Sequence, residues 1–138
     1  MNTNIKTTGK IDTKVLLSTL WIFIMINMAF ADIIGMMYPG FMAKIVAGTP
    51  VDGTVVTPTL LLIGAFILEI PTAMIFLSRL LKHGINRWAN MIGGLITIIF
   101  VHGMGSSTIV YYFFETIEIL SCLAIIWFAW KWRNVETR

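Results

Sequence analysis

Four stretches of about twenty residues, 15–38, 58–79, 88–104 and 108–130, carry no lysine or arginine well inside them. Each is close to the ~20 residues that a helix needs to cross ~30 Å of hydrocarbon, the third being the shortest. An open sheet cannot satisfy its backbone in lipid, and alternation with a period of two is missing, so the stretches read as helices. Composition leads to the same class. Hydrophobic residues make up 57% of the 138 and charged residues only 12%, against roughly a quarter charged in a soluble domain. So few charges cannot cover a water-soluble globule, and so apolar a chain is not disordered. One cysteine, Cys122, excludes a disulfide scaffold or a Cys-built zinc site. The expected fold is all-α: an integral membrane four-helix bundle, a single domain over 1–138.

The bases fix the expected orientation. Lys6, Lys10 and Lys14 precede the first stretch, Arg79, Lys82 and Arg87 join the second to the third, and Lys131, Arg133 and Arg138 follow the fourth. The other two connections hold only Lys44, a bias of nine to one. Both termini and the Lys82 loop are therefore expected to be cytoplasmic in a multi-pass protein of the inner cell membrane. Anionic lipid headgroups account for the net charge of +3. Nucleic acid is not an expected partner, because the bases are divided among three short segments. Trp88, Trp127, Trp130 and Trp132 mark the inner interface, and Tyr38, Tyr111 and Tyr112 the outer one. Lys14, the apolar run after it and Ala29-Phe30-Ala31 resemble a cleavable signal peptide. The run continues through Met37, long enough to span, so an uncleaved first helix is the favoured reading.

The long outer connection, 39–57, opens with Pro39-Gly40 and closes with Gly48-Thr49-Pro50 and Asp52-Gly53, all turn chemistry. Phe41, Met42, Ile45 and Val46 suit a short interfacial turn with Lys44 toward the headgroups. A membrane-resting linker is the favoured reading and a lid over the bundle the alternative. A short loop at 82–86 makes the second and third helices antiparallel neighbours. Thr57-Pro58 starts the second helix with a capping hydroxyl and a first-turn proline. Pro71, further along, removes a donor from the ladder. Ala89, Gly93 and Thr97 form a small-residue ridge that permits close helix contact.

Four of the seven acids, Asp32, Glu69, Glu115 and Glu118, lie inside the spans, where a charge at the bilayer centre costs roughly 2.5–3.5 kcal/mol on the lenient insertion scale. At ~1.5 Å per residue, Asp32 lies roughly 8–9 Å below the outer ends, Glu115 roughly 10 Å, and Glu69 and Glu118 roughly 15–17 Å. Their heights are compatible. Tyr111, Glu115, Glu118 and Cys122 share one helix face. Trp21, Met25, Met28, Asp32 and Met36 form a stripe on the first helix, and Leu62, Phe66, Glu69, Ala73 and Phe76 one on the second. Ile98 and His102 can face inward on the third. The expected site is a carboxyl cluster of Asp32, Glu69, Glu115 and Glu118 with His102 and Tyr111 at its rim. Beneath it lies a pocket lined by Trp21, Met25, Met28 and Phe66. Asn27 is turned about 140° from Asp32, which leaves its membership open. With no permanent positive charge inside the bundle, the acids are expected to share protons and hydrogen bonds.

Such groups suit proton relay, cation binding or acid catalysis; alternatively, they pin helices together. No metal or other cofactor is expected, since one reachable histidine and carboxylates make no ligand motif. There is no nucleophile elbow, Cys–His pairing or phosphate-cradling loop.

Segments 10–32 (KIDTKVLLSTLWIFIMINMAFAD), 68–79 (LEIPTAMIFLSR), 85–94 (INRWANMIGG), 114–120 (FETIEIL) and 126–132 (IWFAWKW) resemble a family of small bacterial four-helix membrane proteins of unknown function. The resemblance covers most of the chain and implies architecture but no reaction. More loosely, four helices with inward carboxylates are similar to DoxX-like proteins and to the sterol-isomerase type of fold, with no motif close enough to transfer residues.

Three functions stay open. The first is binding or transport of a small hydrophobic or cationic molecule, possible proton linkage included, by Glu69 with Glu115 and Glu118. The second is a membrane enzyme using paired carboxyls on a lipid-like substrate; the balance is against an enzyme. The third is a non-catalytic accessory protein whose acids only fix packing. Membrane lipids are expected partners, and a homo-oligomer is one of the open arrangements.

Overall fold

The computed structural model describes residues 11–133; Lys6, Lys10 and Arg138, counted in the orientation argument, lie outside the described residues. Five helices follow in order, α1 (Thr13–Met36), α2 (Phe41–Val46), α3 (Pro58–Leu80), α4 (His83–Gly103) and α5 (Ile109–Lys131). No strand occurs among the described residues. All but α2 are long and apolar enough to cross a membrane, which makes this a multi-pass membrane protein. α1 packs on α3 and α5, and α4 packs on the same two, so the four spans close a ring in chain order.

The helix starts obey local chemistry. Asp12 accepts from the Lys14 amide, Thr57 from Leu60 and Thr108 from Tyr111, each satisfying an orphan N–H of a first turn. α4 begins at His83, five residues before the expected start, so only Leu81 and Lys82 separate it from α3. The stretch expected as a loop is therefore the first turn of a helix.

That turn carries part of a polar core. The buried face of α4 is Asn86, Asn90, Gly93, Gly94, Thr97 and Val101, a stripe at helical spacing. Trp21 Nε1 donates to Asn90 Oδ1 at 2.7 Å, and Ser78 Oγ donates to the same oxygen at 3.1 Å. Asn90 Nδ2 donates to Asn86 Oδ1 at 2.6 Å, and Asn86 Nδ2 to the Ser78 carbonyl at 2.6 Å. Trp21, Ser78, Asn86 and Asn90 are all fully buried. Gly93 makes room for the Trp21 ring and Met74, both about 3.5 Å from where a Cβ would sit. Trp21 and Met28 thus belong to a packed core with Leu17, Ile24, Cys122 and Ile125, which corrects their reading as pocket lining.

The second correction concerns α3. The face expected to look inward looks outward: Leu62, Phe66 and Phe76 are 58%, 69% and 66% exposed, and Glu69 and Ala73 are exposed too. Its buried residues are Pro71, Met74 and Ser78, all in the half near α4's start. The reason is energetic. The opposite stripe supplies Met74 against Gly93 and Ser78 to Asn90, contacts that a Phe–Glu–Phe face cannot make.

Charges separate strongly along the bundle. At the end where α1 begins and α5 finishes lie Lys14, Arg79, Lys82, Arg87, Lys131 and Arg133, with Asp12 the single described acid. The other half holds Asp32, Asp52, Glu115 and Glu118, with Lys44 its single described base, and Glu69 lies at mid-span.

Candidate functional site

The acid-rich half is built on α5. Glu115 and Glu118 are buried, 8% and 2% exposed, and Cys122 is fully buried one turn further in. The face expected for α5 thus does turn inward, with Tyr111 half-buried at its top. Tyr111 donates to the Val101 carbonyl at 2.8 Å, tying the start of α5 to the end of α4. Its ring lies against Gly105, where an added Cβ would collide with it.

His102 is not inside the bundle. Its side chain is 78% exposed while that of Glu115 is 10% exposed, and a 2.8 Å hydrogen bond joins His102 Nδ1 to Glu115 Oε1. Glu118 sits one step deeper, about 4.5 Å along the helix axis. Its Oε1 is buried with no hydrogen-bond partner among the described residues. Leaving such an acceptor unpaired costs about 1–3 kcal/mol, and natural structures rarely tolerate it without cause. Asp32 is exposed on α1. Of the four expected acids, Glu115 and Glu118 are thus buried together on one face of α5.

Glu69 does not join them. It projects from the exposed face of α3, near the middle of that span, because Pro71, Met74 and Ser78 take the inward positions. Phe66 leaves the expected pocket for the same reason, and Met25 is only half-buried, with Thr72 Oγ1 3.7 Å from its sulfur. Asn27 donates to the Phe23 carbonyl of its own helix at 2.9 Å and takes no part.

Above Glu115 a cleft of about 140 Å³ opens between the connections, lined by Asp52, His102, Gly105, Ser106, Ser107, Tyr112 and Glu115. Asp52 was not anticipated here. Val51 and Thr54 exchange both backbone hydrogen bonds at 2.9 Å, and Asp52 and Gly53 between them have φ of 47° and 82°. That is the two-residue left-handed turn for which Asp-Gly is suited. The turn delivers Asp52 to Ser107, whose hydroxyl donates at 2.9 Å and whose amide donates at 3.3 Å. The Ser107 hydroxyl first, then that of Ser106 and the Ser107 amide, hold the Asp52 carboxyl below the usual carboxylate range, with a smaller push from Lys44. The Asp-Gly pair was the available signal, but nothing local says where such a turn will dock. Among the described residues no group of histidines, cysteines and carboxylates is arranged to hold a metal ion.

A sequence profile for a family of unknown function matches residues 8–137, nearly the whole chain. The chain belongs to that family, DUF6326. No curated protein and no solved structure matches it. Membership in DUF6326 therefore settles kinship and leaves chemistry to the geometry above.

Proposed function

We propose that this DUF6326 protein binds a small cation from the outer face of the cell membrane and exchanges it for a proton held by Glu115 and Glu118. One observation carries the reading: a buried carboxyl oxygen of Glu118 with no described partner, under a mouth lined by further carboxylates. Accessibility falls stepwise from His102 through Glu115 to Glu118, the order a proton would follow between water and the interior. Asp52 and Glu115 make the mouth attractive to positive charge. Size supports a small occupant. At about 140 Å³ the cleft holds an ion with a few waters, each needing ~30 Å³, whereas sites for drug-sized ligands run to roughly 300–1,000 Å³. The packed state of Trp21 and Met28 also weakens the case for a large hydrophobic ligand.

The test is proton release. Purified protein in weakly buffered detergent, titrated with tetramethylammonium, is expected to release protons detectable by a pH dye. Glu118→Gln and Glu115→Gln should abolish that release, while Glu69→Gln should keep it. Equal release from wild type and Glu118→Gln, or none from folded wild type, would overturn the proposal and leave the acids as packing elements.

A further inference from the structure

At the base-rich end, Ser18 of α1 is fully buried, yet its hydroxyl is bonded twice to α3. Ser18 Oγ donates to the Ile75 carbonyl at 2.7 Å and accepts from Arg79 Nε at 2.9 Å. The guanidinium is thereby fixed at one corner. Of its five N–H donors, the four on the terminal nitrogens have no hydrogen-bond partner among the described residues, and Arg79 is exposed.

Lys14 comes to the same place by register. It precedes Ser18 by one turn on the same face of α1, just as Arg79 follows Ile75 by one turn on α3. The pairing of Ser18 with Ile75, and of Met25 with Thr72, shows that the two helices run antiparallel. Both one-turn steps therefore lead toward the same end of this helix pair. Lys14 is the second residue of α1 and Arg79 the last but one of α3, the level at which headgroup phosphates lie. Lys82 follows at the cap of α4. The local acid, Asp12, is engaged with the Lys14 amide.

We infer that Lys14 and the Ser18-anchored Arg79 form a binding site for the phosphodiester of an anionic phospholipid, at the end of the α1–α3 pair. A phosphate takes paired N–H donors from a guanidinium, and the lysine supplies a second charge. Basic notches between spans are suited to acidic headgroups. The buried serine gives the site its order, since it positions the arginine before any lipid arrives.

Native mass spectrometry of the full chain in detergent tests this, with phosphatidylglycerol, phosphatidylcholine and inorganic phosphate titrated separately. Wild type should retain phosphatidylglycerol in preference to phosphatidylcholine and should not retain inorganic phosphate. Arg79→Gln and Lys14→Gln should each cut phosphatidylglycerol retention about tenfold, the equivalent of one charge-assisted hydrogen bond. Ser18→Ala, which keeps every charge, should reduce it severalfold, and Lys44→Gln at the opposite end should leave it unchanged. A Lys14→Gln protein that elutes as wild type and keeps its full lipid complement overturns the site, whatever becomes of Arg79→Gln. Retention of inorganic phosphate in place of lipid, or equal losses in Lys44→Gln, would also overturn it.

Discussion

Glu118 and Asp52 show two ways in which one carboxyl can shape this protein. Glu118 is buried with an unpaired oxygen, so the fold carries it at a cost. Glu118→Met is accordingly expected to leave the thermal midpoint in detergent unchanged or higher, by up to about 1–3 kcal/mol of stability. A loss of that size would instead mark Glu118 as a structural group. Asp52 is the reverse case, exposed but held by Ser107. Its carboxyl titrates below the ordinary range in the folded protein, so the bonds to Ser107 are fully formed above the unfolded value of about 3.9 and are lost only as pH falls through the lower folded value. The Ser107 amide resonance should therefore titrate with a midpoint below that of an unperturbed aspartate. In Asp52→Asn the titration should vanish.

Among the elements, α4 shows what periodicity could and could not reveal. Its small-residue ridge of Ala89, Gly93 and Thr97 was legible, and Gly93 and Thr97 are buried. Asn86 and Asn90 occupy the same stripe, but Asn86 falls in the stretch expected as a loop and nothing in the sequence marks Asn90 apart from the rest of its span. Only the tertiary partners Trp21 and Ser78 show them to be core. Asn90→Leu removes the acceptor of Trp21 Nε1 and Ser78 Oγ and the donor to Asn86. Three buried groups lose a partner, an expected loss of about 2–4 kcal/mol in reversible unfolding from mixed micelles. Glu69 went astray on the other coordinate. Depth follows from a fixed rise per residue and can be counted, but the angle around the axis is set by which stripe finds the better neighbours. On α5 the acidic stripe won that competition; on α3 the Pro71–Met74–Ser78 stripe did.

Over the whole molecule, the four spans were legible because hydrocarbon thickness dictates their length. How they meet was legible only in part. Glu69 now stands mid-span on an exposed apolar surface with Phe66 and Leu62. Replacing it with leucine is expected to stabilise the membrane-embedded protein by about 2–3 kcal/mol, read as a higher unfolding midpoint in bicelles. The 11 residues from Pro58 to Leu68 include none that is buried, and the next buried position is Pro71. This third helix is thus clamped at its foot and loose at its head, like a reed set in a socket. Less packing holds it at the acidic end than where asparagine and tryptophan interlock, so local opening of the bundle is expected to begin on the acidic side.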